Sequence, residues 1–316
     1  MTTPLTTPTL TVGVCAGLAS ALMSAVSFLV SRHHGQRGRG ASLRVLVLAH
    51  LLMGATCVPL AWLLWPARMP PAAAWLPPLA GSTATYLLGQ SLLFAALRRA
   101  DASRISPLLG LKIAMLATVS ALLLDAALDA RQWVAVAFSI AAAGMLQRGG
   151  GLPRAAAGIV LVACASFACA DLCIVWLIDT LQPGTDAAGA TLTRLHAGGL
   201  GMSITYLLCG LCAASLLALG LGRPQDRHDW IGAAQYGGTW LLGMAALYTC
   251  FGLVGAVFGN ILQSTRGLMS IVIGTWLAHA GWHDLETQVD RRTLVRRGLA
   301  AVMMTAAIAI YVIDLA

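Results

Sequence analysis

Six side chains in this sequence combine a chemically demanding type with a position inside a long apolar run. Asn260, Gln263, Ser264 and Arg266 share one run, residues 255–277, with Gly267, Ser270 and Gly274. Lys112 lies in the run 105–124 and Asp171 in 155–178. A charge or amide in hydrocarbon must find a partner, so such residues mark ligand sites, ion pathways or buried pairs. At 100° per residue the polar and small positions of 255–277 cover an arc of about 160°. Ile261, Leu262, Leu268, Met269, Val272 and Ile273 fill the other side, with Thr265 the polar exception. This pattern predicts a helix lining a polar cavity. Close helix packing through Gly267 and Gly274, with amides bonded across helices, is the competing explanation.

Arg266 sits near the middle of its run, too deep to reach either interface. Its guanidinium needs a carboxylate, backbone carbonyls or an anionic ligand. Two roles stand open: contact with a substrate, or an ion pair with Asp171. Lys112 is nearer the start of its run, where its stem can snorkel to the interface. Its neighbours Leu108, Leu116 and Val119 form no polar stripe. Asp171 is either a proton-coupling carboxylate or the partner of Arg266. His50 and His279 read as polar residues near run ends. Tyr86, Gln90, Gln235 and Tyr236 add hydrogen-bonding groups with no assigned role. Gly13-x-x-x-Gly17 and Gly255-x-x-x-Gly259 permit close helix approach.

The elements that position these residues follow from composition. Of the 316 residues, 58% are hydrophobic and only 10% charged, with mean hydropathy +0.79. A soluble globular chain averages near 25% charged residues, so there is too little polar surface here to face water. About twenty apolar residues cross a bilayer as a helix. Ten such runs are expected, at 11–30, 43–65, 78–97, 105–124, 131–147, 155–178, 196–220, 230–251, 255–277 and 295–314. Phe251 to Gly255 leaves only a very short connection between the eighth and ninth. Pro66, Pro70, Pro71, Pro77 and Pro78 are assigned to one connector, where no helix hydrogen bond is lost. The first run is read as a retained helix, because residues 1–10 hold no Lys or Arg and a signal peptide needs a cationic start.

The net charge of +8 does not indicate nucleic acid, because the arginines sit in short connectors instead of one basic face. Connectors after runs 1, 3, 5, 7 and 9 hold fifteen arginines, and the remaining connectors and both termini hold three. The positive-inside rule then makes the first set cytoplasmic and both termini external. The eight cysteines all fall inside apolar runs, where they act as small hydrophobes, not as a disulfide framework. No H-E-x-x-H, G-x-S-x-G or G-x-x-x-x-G-K-[ST] pattern occurs. An enzyme is therefore not expected, and neither a cofactor nor a metal is implied.

Two stretches carry a resemblance. Phe94 to Leu146 reads FAALRRADASRISPLLGLKIAMLATVSALLLDAALDARQWVAVAFSIAAAGML, and the stretch Tyr248 to Ile313 contains VFGNILQSTRGLMSIVIGTWLAHAG followed by RRGLAAVMMTAAIAIYVI. Both resemble the repeat end of the drug/metabolite transporter superfamily, EamA type. The turn before each last helix departs from the family's Gly-Glu, being Leu124-Asp125 and Gly281-Trp282. Aligning Lys112 with Arg266 sets Asp125 opposite His279. The resemblance implies an all-α membrane protein of ten transmembrane helices in two inverted five-helix repeats, residues 1–150 and 151–316. It also implies cytoplasmic termini, against the charge count. The expected function is secondary transport, as an exporter of a small anionic or zwitterionic metabolite or drug-like solute by alternating access. Arg266, Gln263, Asn260, Ser264 and Lys112 are the expected substrate contacts. A lipid or lipid-linked flippase is the alternative, with an intramembrane enzyme behind it. The expected partners are the solute and membrane lipids, with the protein a monomer or homodimer. The Ala-, Gly- and Arg-rich composition fits a bacterial inner membrane.

Overall fold

The computed structural model describes residues 7–35, 38, 40–99, 105, 108–123, 129–147, 154–279 and 291–312. These residues are almost wholly helical: α1 Thr7–Gly35, α2 Ala41–Leu63, α3 Ala72–Leu97, a 3-10 turn Leu108–Leu111 leading into α4 Lys112–Leu123, and α5 Ala130–Gln147. The second half contributes α6 Arg154–Leu181, α7 Arg194–Ala218, α8 Arg227–Val254, α9 Ala256–Ser264, α10 Arg266–His279 and α11 Arg291–Val312. Pro8–Gly35, Ala41–Leu63, Ala156–Leu181, Arg194–Ala218 and Arg227–Val254 are each long and apolar enough to cross a membrane. The chain is a multi-pass helical membrane protein. Asp125, both departing turns and the side chain of His279 lie outside the described residues.

Local chemistry sets the helix ends. Thr193 accepts from His196 N–H at 3.1 Å to open α7, and Asp226 accepts from Asp229 N–H at 3.0 Å to open α8. Asp129 and Gln132 exchange backbone-to-side-chain bonds of 2.7 and 3.2 Å at the start of α5, a reciprocal capping box. The short connection expected near Phe251–Gly255 is the single residue Gly255, whose φ of 80° suits glycine and ends α8 before α9 restarts. The proline expectation needs correcting: Pro77 and Pro78 lie inside α3, which starts at Ala72 behind Pro71. As the sixth and seventh residues of α3, Pro77 and Pro78 each lack the N–H that would bond a carbonyl of the first turn.

The ends of the helices sort onto two sides. On one, Arg32 on α1 donates to the Leu97 carbonyl at the end of α3, and Arg44 on α2 meets Asp229 on α8 at 2.8 Å. On the other, the connector after α2 pairs with that after α6, Arg68 and Thr185 exchanging backbone bonds of 3.1 and 3.2 Å. His196 adds a 2.7 Å bond to the Leu64 carbonyl there. The most extensive helix contacts are α1 with α8, α3 with α6, α2 with α7, and α5 with α11. At the α2–α7 crossing, Gly54 and Gly210 are so close that a Cβ on either would stand 2.7 Å from the other's Cα. Gly13 and Gly17 likewise seat α1 against Val254 and Leu262.

These contacts predict different tolerances along the bundle. Gly54→Val forces two backbones apart and should lower stability by about 2–3 kcal/mol or more. Gly158→Ala meets open space and should leave stability unchanged or slightly raised. Thermal unfolding of the detergent-solubilised variants separates the two.

Candidate functional site

The site begins where two helices are interrupted. A 3-10 turn precedes Lys112, which opens α4. Thr265 separates α9 from α10, and Arg266 is the first residue after it. At that joint the Thr265 N–H reaches back three residues, to the Leu262 carbonyl at 3.2 Å. The Ser264 and Thr265 hydroxyls take the carbonyls of Ile261 and Leu262 at 2.6 and 2.7 Å. Hydroxyls bonded back to helix carbonyls in this way bend or loosen the ladder. The helix is thereby opened beside its most polar residues.

Lys112, Asp171, Gln263 and Arg266 line one internal cavity with Ser24, Phe28, Tyr86, Phe167, Trp240 and Met244. The space is about 30 Å³, enough for a water or two. Lys112 Nζ lies 2.7 Å from Asp171 Oδ2, and both side chains are more than nine-tenths buried. Asp171 Oδ2 also accepts from Asn260 Nδ2 at 2.8 Å. Arg266 Nη1 donates to Gln263 Oε1 at 3.0 Å, and Gln263 Nε2 donates to Ser20 at 2.5 Å. The guanidinium carbon stands 5.3 Å from the centre of the Phe28 ring, and Lys112 Nζ lies 6.0 Å from that of Phe167. Both distances allow cation–π attraction.

Two sequence expectations are corrected here. Lys112 does not snorkel: it is 6% exposed and held by Asp171 inside the bundle. Its carboxylate partner lies on the adjacent α6, so the ammonium is stabilised without reaching water. Asp171 pairs with Lys112, and no ion pair between Asp171 and Arg266 occurs among the described residues. Among the described residues Arg266 has no ion-pair partner, and its buried Nε has no hydrogen-bond acceptor. The remaining candidates divide. Asn260 stands behind Asp171, and Ser264 turns its hydroxyl into its own helix.

The aromatic wall of the site was largely missed by sequence reasoning. His50 is not near a helix end; it is 1% exposed within α2, with Nδ1 donating to the Leu46 carbonyl at 2.7 Å. Its Nε2 meets the Tyr86 hydroxyl at 3.0 Å. Gln90 Nε2 donates to Tyr86 at 3.3 Å, and Tyr236 donates to Gln90 Oε1 at 3.0 Å. Trp240 stacks with Tyr236 at 5.8 Å and donates to Tyr206 at 2.9 Å. The only sequence signal for this wall was the presence of Tyr86, Gln90 and Tyr236 inside apolar runs.

The geometry predicts strong coupling between Lys112 and Asp171. Asp171→Ala leaves a buried ammonium unpaired and should destabilise by about 3–5 kcal/mol, whereas Lys112→Met combined with Asp171→Leu should recover most of that loss. A double-mutant cycle of thermal unfolding checks it, and additive losses would contradict the pairing.

Comparison with known proteins follows the same outline. Residues 11–148 match the family model described as EamA-like transporter family. No curated protein matches the chain. A solved structure described only as the crystal structure of a protein covers 96% of this chain and 97% of its own, with a TM-score of 0.63 at 14% identity. That likeness speaks to fold alone.

Proposed function

We propose that the chain is a secondary transporter of small anionic or zwitterionic solutes, a reading supported by the match of residues 11–148 to the EamA-like transporter family model. Arg266 carries the proposal. Its guanidinium is buried beside a cavity, has no carboxylate partner among the described residues, and keeps an unbonded Nε. An anionic group on a solute supplies the missing acceptor. Gln263 and Lys112 line the same space, and Asn260 and Ser264 shape it from behind.

Two inverted repeats, 1–150 and 151–316, are supported by the packing. If α1–α3 correspond to α6–α8 and α5 to α11, the contacts α1–α8 and α6–α3 exchange, while α2–α7 and α5–α11 map onto themselves. Lys112 and Arg266 then occupy matching positions, each opening a helix after an interruption. Such discontinuous helices at a repeat interface suit a solute site in an alternating-access cycle. A 30 Å³ cavity admits no metabolite, so loading requires the halves to part. No nucleotide-binding motif occurs, so a gradient supplies the energy. The EamA resemblance motivates efflux from a bacterial inner membrane as the direction. The arginine-rich end holding Arg32 and Arg44 is the cytoplasmic one on the charge rule.

Arg266→Ala should reduce solute counterflow in proteoliposomes more than tenfold, about the value of one charged hydrogen bond, while the protein stays inserted. Undiminished counterflow by this variant removes Arg266 from the site. A library of small carboxylates and amino acids is the screen.

A second reading, a flippase for lipid or lipid-linked substrates, is favoured by an apolar groove of about 440 Å³ between α4 and α6, lined by Met115, Val119, Ala168 and Leu172. The solute-transport proposal predicts no acceleration of fluorescent lipid translocation in vesicles. Translocation that stops in Ala168→Trp would favour the flippase.

A further inference from the structure

The half of α8 nearest the arginine-rich end is held by side chains, one layer after another, onto α1, α2 and α3. At its start Asp229 accepts from Arg44 Nε on α2 at 2.8 Å and from the Gln225 N–H at 2.9 Å. Both charged side chains are only 10% exposed. Further in, Gln235 Oε1 accepts from His34 on α1 at 2.8 Å. Tyr236 then meets α3, its ring 5.0 Å from that of Phe94 and its hydroxyl 3.0 Å from Gln90. Gly237 and Gly238 follow, and the next two residues, Thr239 and Trp240, reach Ser27 and Phe28 on α1. Trp240 already lines the cavity, so the segment 227–236 stands between the cavity and this end. The opposite end is built differently. There Arg68 and Thr185 exchange backbone bonds, and the ion pair Arg194–Asp179 joins the neighbours α6 and α7 about half exposed.

We propose that residues 227–236 of α8 form a gate over the cavity, hinged at Gly237–Gly238 and latched shut by the Arg44–Asp229 pair. Helices bend where glycines leave the backbone without side chains to stiffen it. A Cβ added at Gly238 would meet nothing within 4 Å, so packing does not brace the hinge there. Just past it the Thr239 hydroxyl donates to the Gln235 and Tyr236 carbonyls at 2.8 and 3.1 Å. Back-bonding of this kind loosens a helix ladder. The bonds that hold the gate run between side chains, which can exchange partners for water while the backbone of the segment stays helical. Dry, the buried pair resists separation. Once water reaches both charges, hydration repays their lost attraction and the latch releases.

The inference rests on the transport reading, in which the cavity must open, but its test needs no solute, so the two can fail separately. Cys164 is a native reporter. It is 0% exposed and shares its face of α6 with Phe167 and Asp171, which line the cavity. Full-length protein in detergent is treated with an anionic methanethiosulfonate, and modification of each cysteine is followed by peptide mass spectrometry. A buried thiol reacts in proportion to how often its cover opens. Asp229→Asn should label Cys164 about tenfold faster than wild type, the value of one charged hydrogen bond. Arg44→Gln should do the same from the other side of the pair. Gly238→Ala should label Cys164 about fourfold more slowly than wild type, because alanine stiffens the helix. Cys57, also 0% exposed but toward the far end of α2, should stay unmodified throughout. An unchanged Cys164 rate in the Asp229 and Arg44 variants removes the latch, and an unchanged rate in Gly238→Ala removes the hinge; either overturns the proposal. Cys57 reacting in step with Cys164 also overturns it, since that marks general loosening instead of a gate. If neither charge variant folds, Gly238→Ala decides alone.

Discussion

Lys112 and Asp171 meet 2.7 Å apart between α4 and α6, in a part of the bundle that water barely enters. Neither charge is tolerable there alone, since taking an ion out of water costs several kcal/mol before any partner is found. Together they cancel, and Asn260 steadies the carboxylate from α9. Three helices distant in sequence are thereby tied at one point. The pairing also determines what is left over. With Asp171 paired to Lys112, the guanidinium of Arg266 meets an amide oxygen and an aromatic face among the described residues. A positive charge without a carboxylate partner among the described residues thus borders the cavity.

Helix packing brings these groups together through small residues. Bilayer lipid gives helices little hydrophobic reason to associate, so close backbone contact has to do more of the work. Gly54 against Gly210 lets α2 and α7 touch, and Gly13 and Gly17 bring α1 onto the α8–α9 region. Once α1 lies there, Ser20 can reach Gln263 and Phe28 can face Arg266. Methyl-sized changes at the crossings thus bear on the polar centre, even though none of these glycines lines it.

Around the centre, aromatic groups bury polar atoms in a directed chain. Tyr236 donates to Gln90, Gln90 to Tyr86, and Tyr86 meets the His50 nitrogen left free when Nδ1 bonds the Leu46 carbonyl. Each donor finds an acceptor without water, which is what hydrocarbon requires of buried polar side chains. Tyr86 and Trp240 present the other side of this network to the cavity. The cavity thus has a charged floor and an aromatic wall.

Much of this was legible in the residues themselves. Mean hydropathy, the near-absence of charge and the length of the apolar runs required membrane helices, because the cost of exposing backbone or charge to hydrocarbon is a local property. The polar side of 255–277 pointed to Gln263 and Arg266 for the same reason, and both line the cavity. Partner choice was not legible. Asp171 had two cations to choose from, and only the placement of α4 against α6 gave it to Lys112 instead of Arg266. The burial of His50, the glycine contact of α2 with α7 and the aromatic wall were equally out of reach. Hydropathy and periodicity report what each side chain needs, whereas the tertiary packing decides which neighbour, dozens of residues away, supplies it.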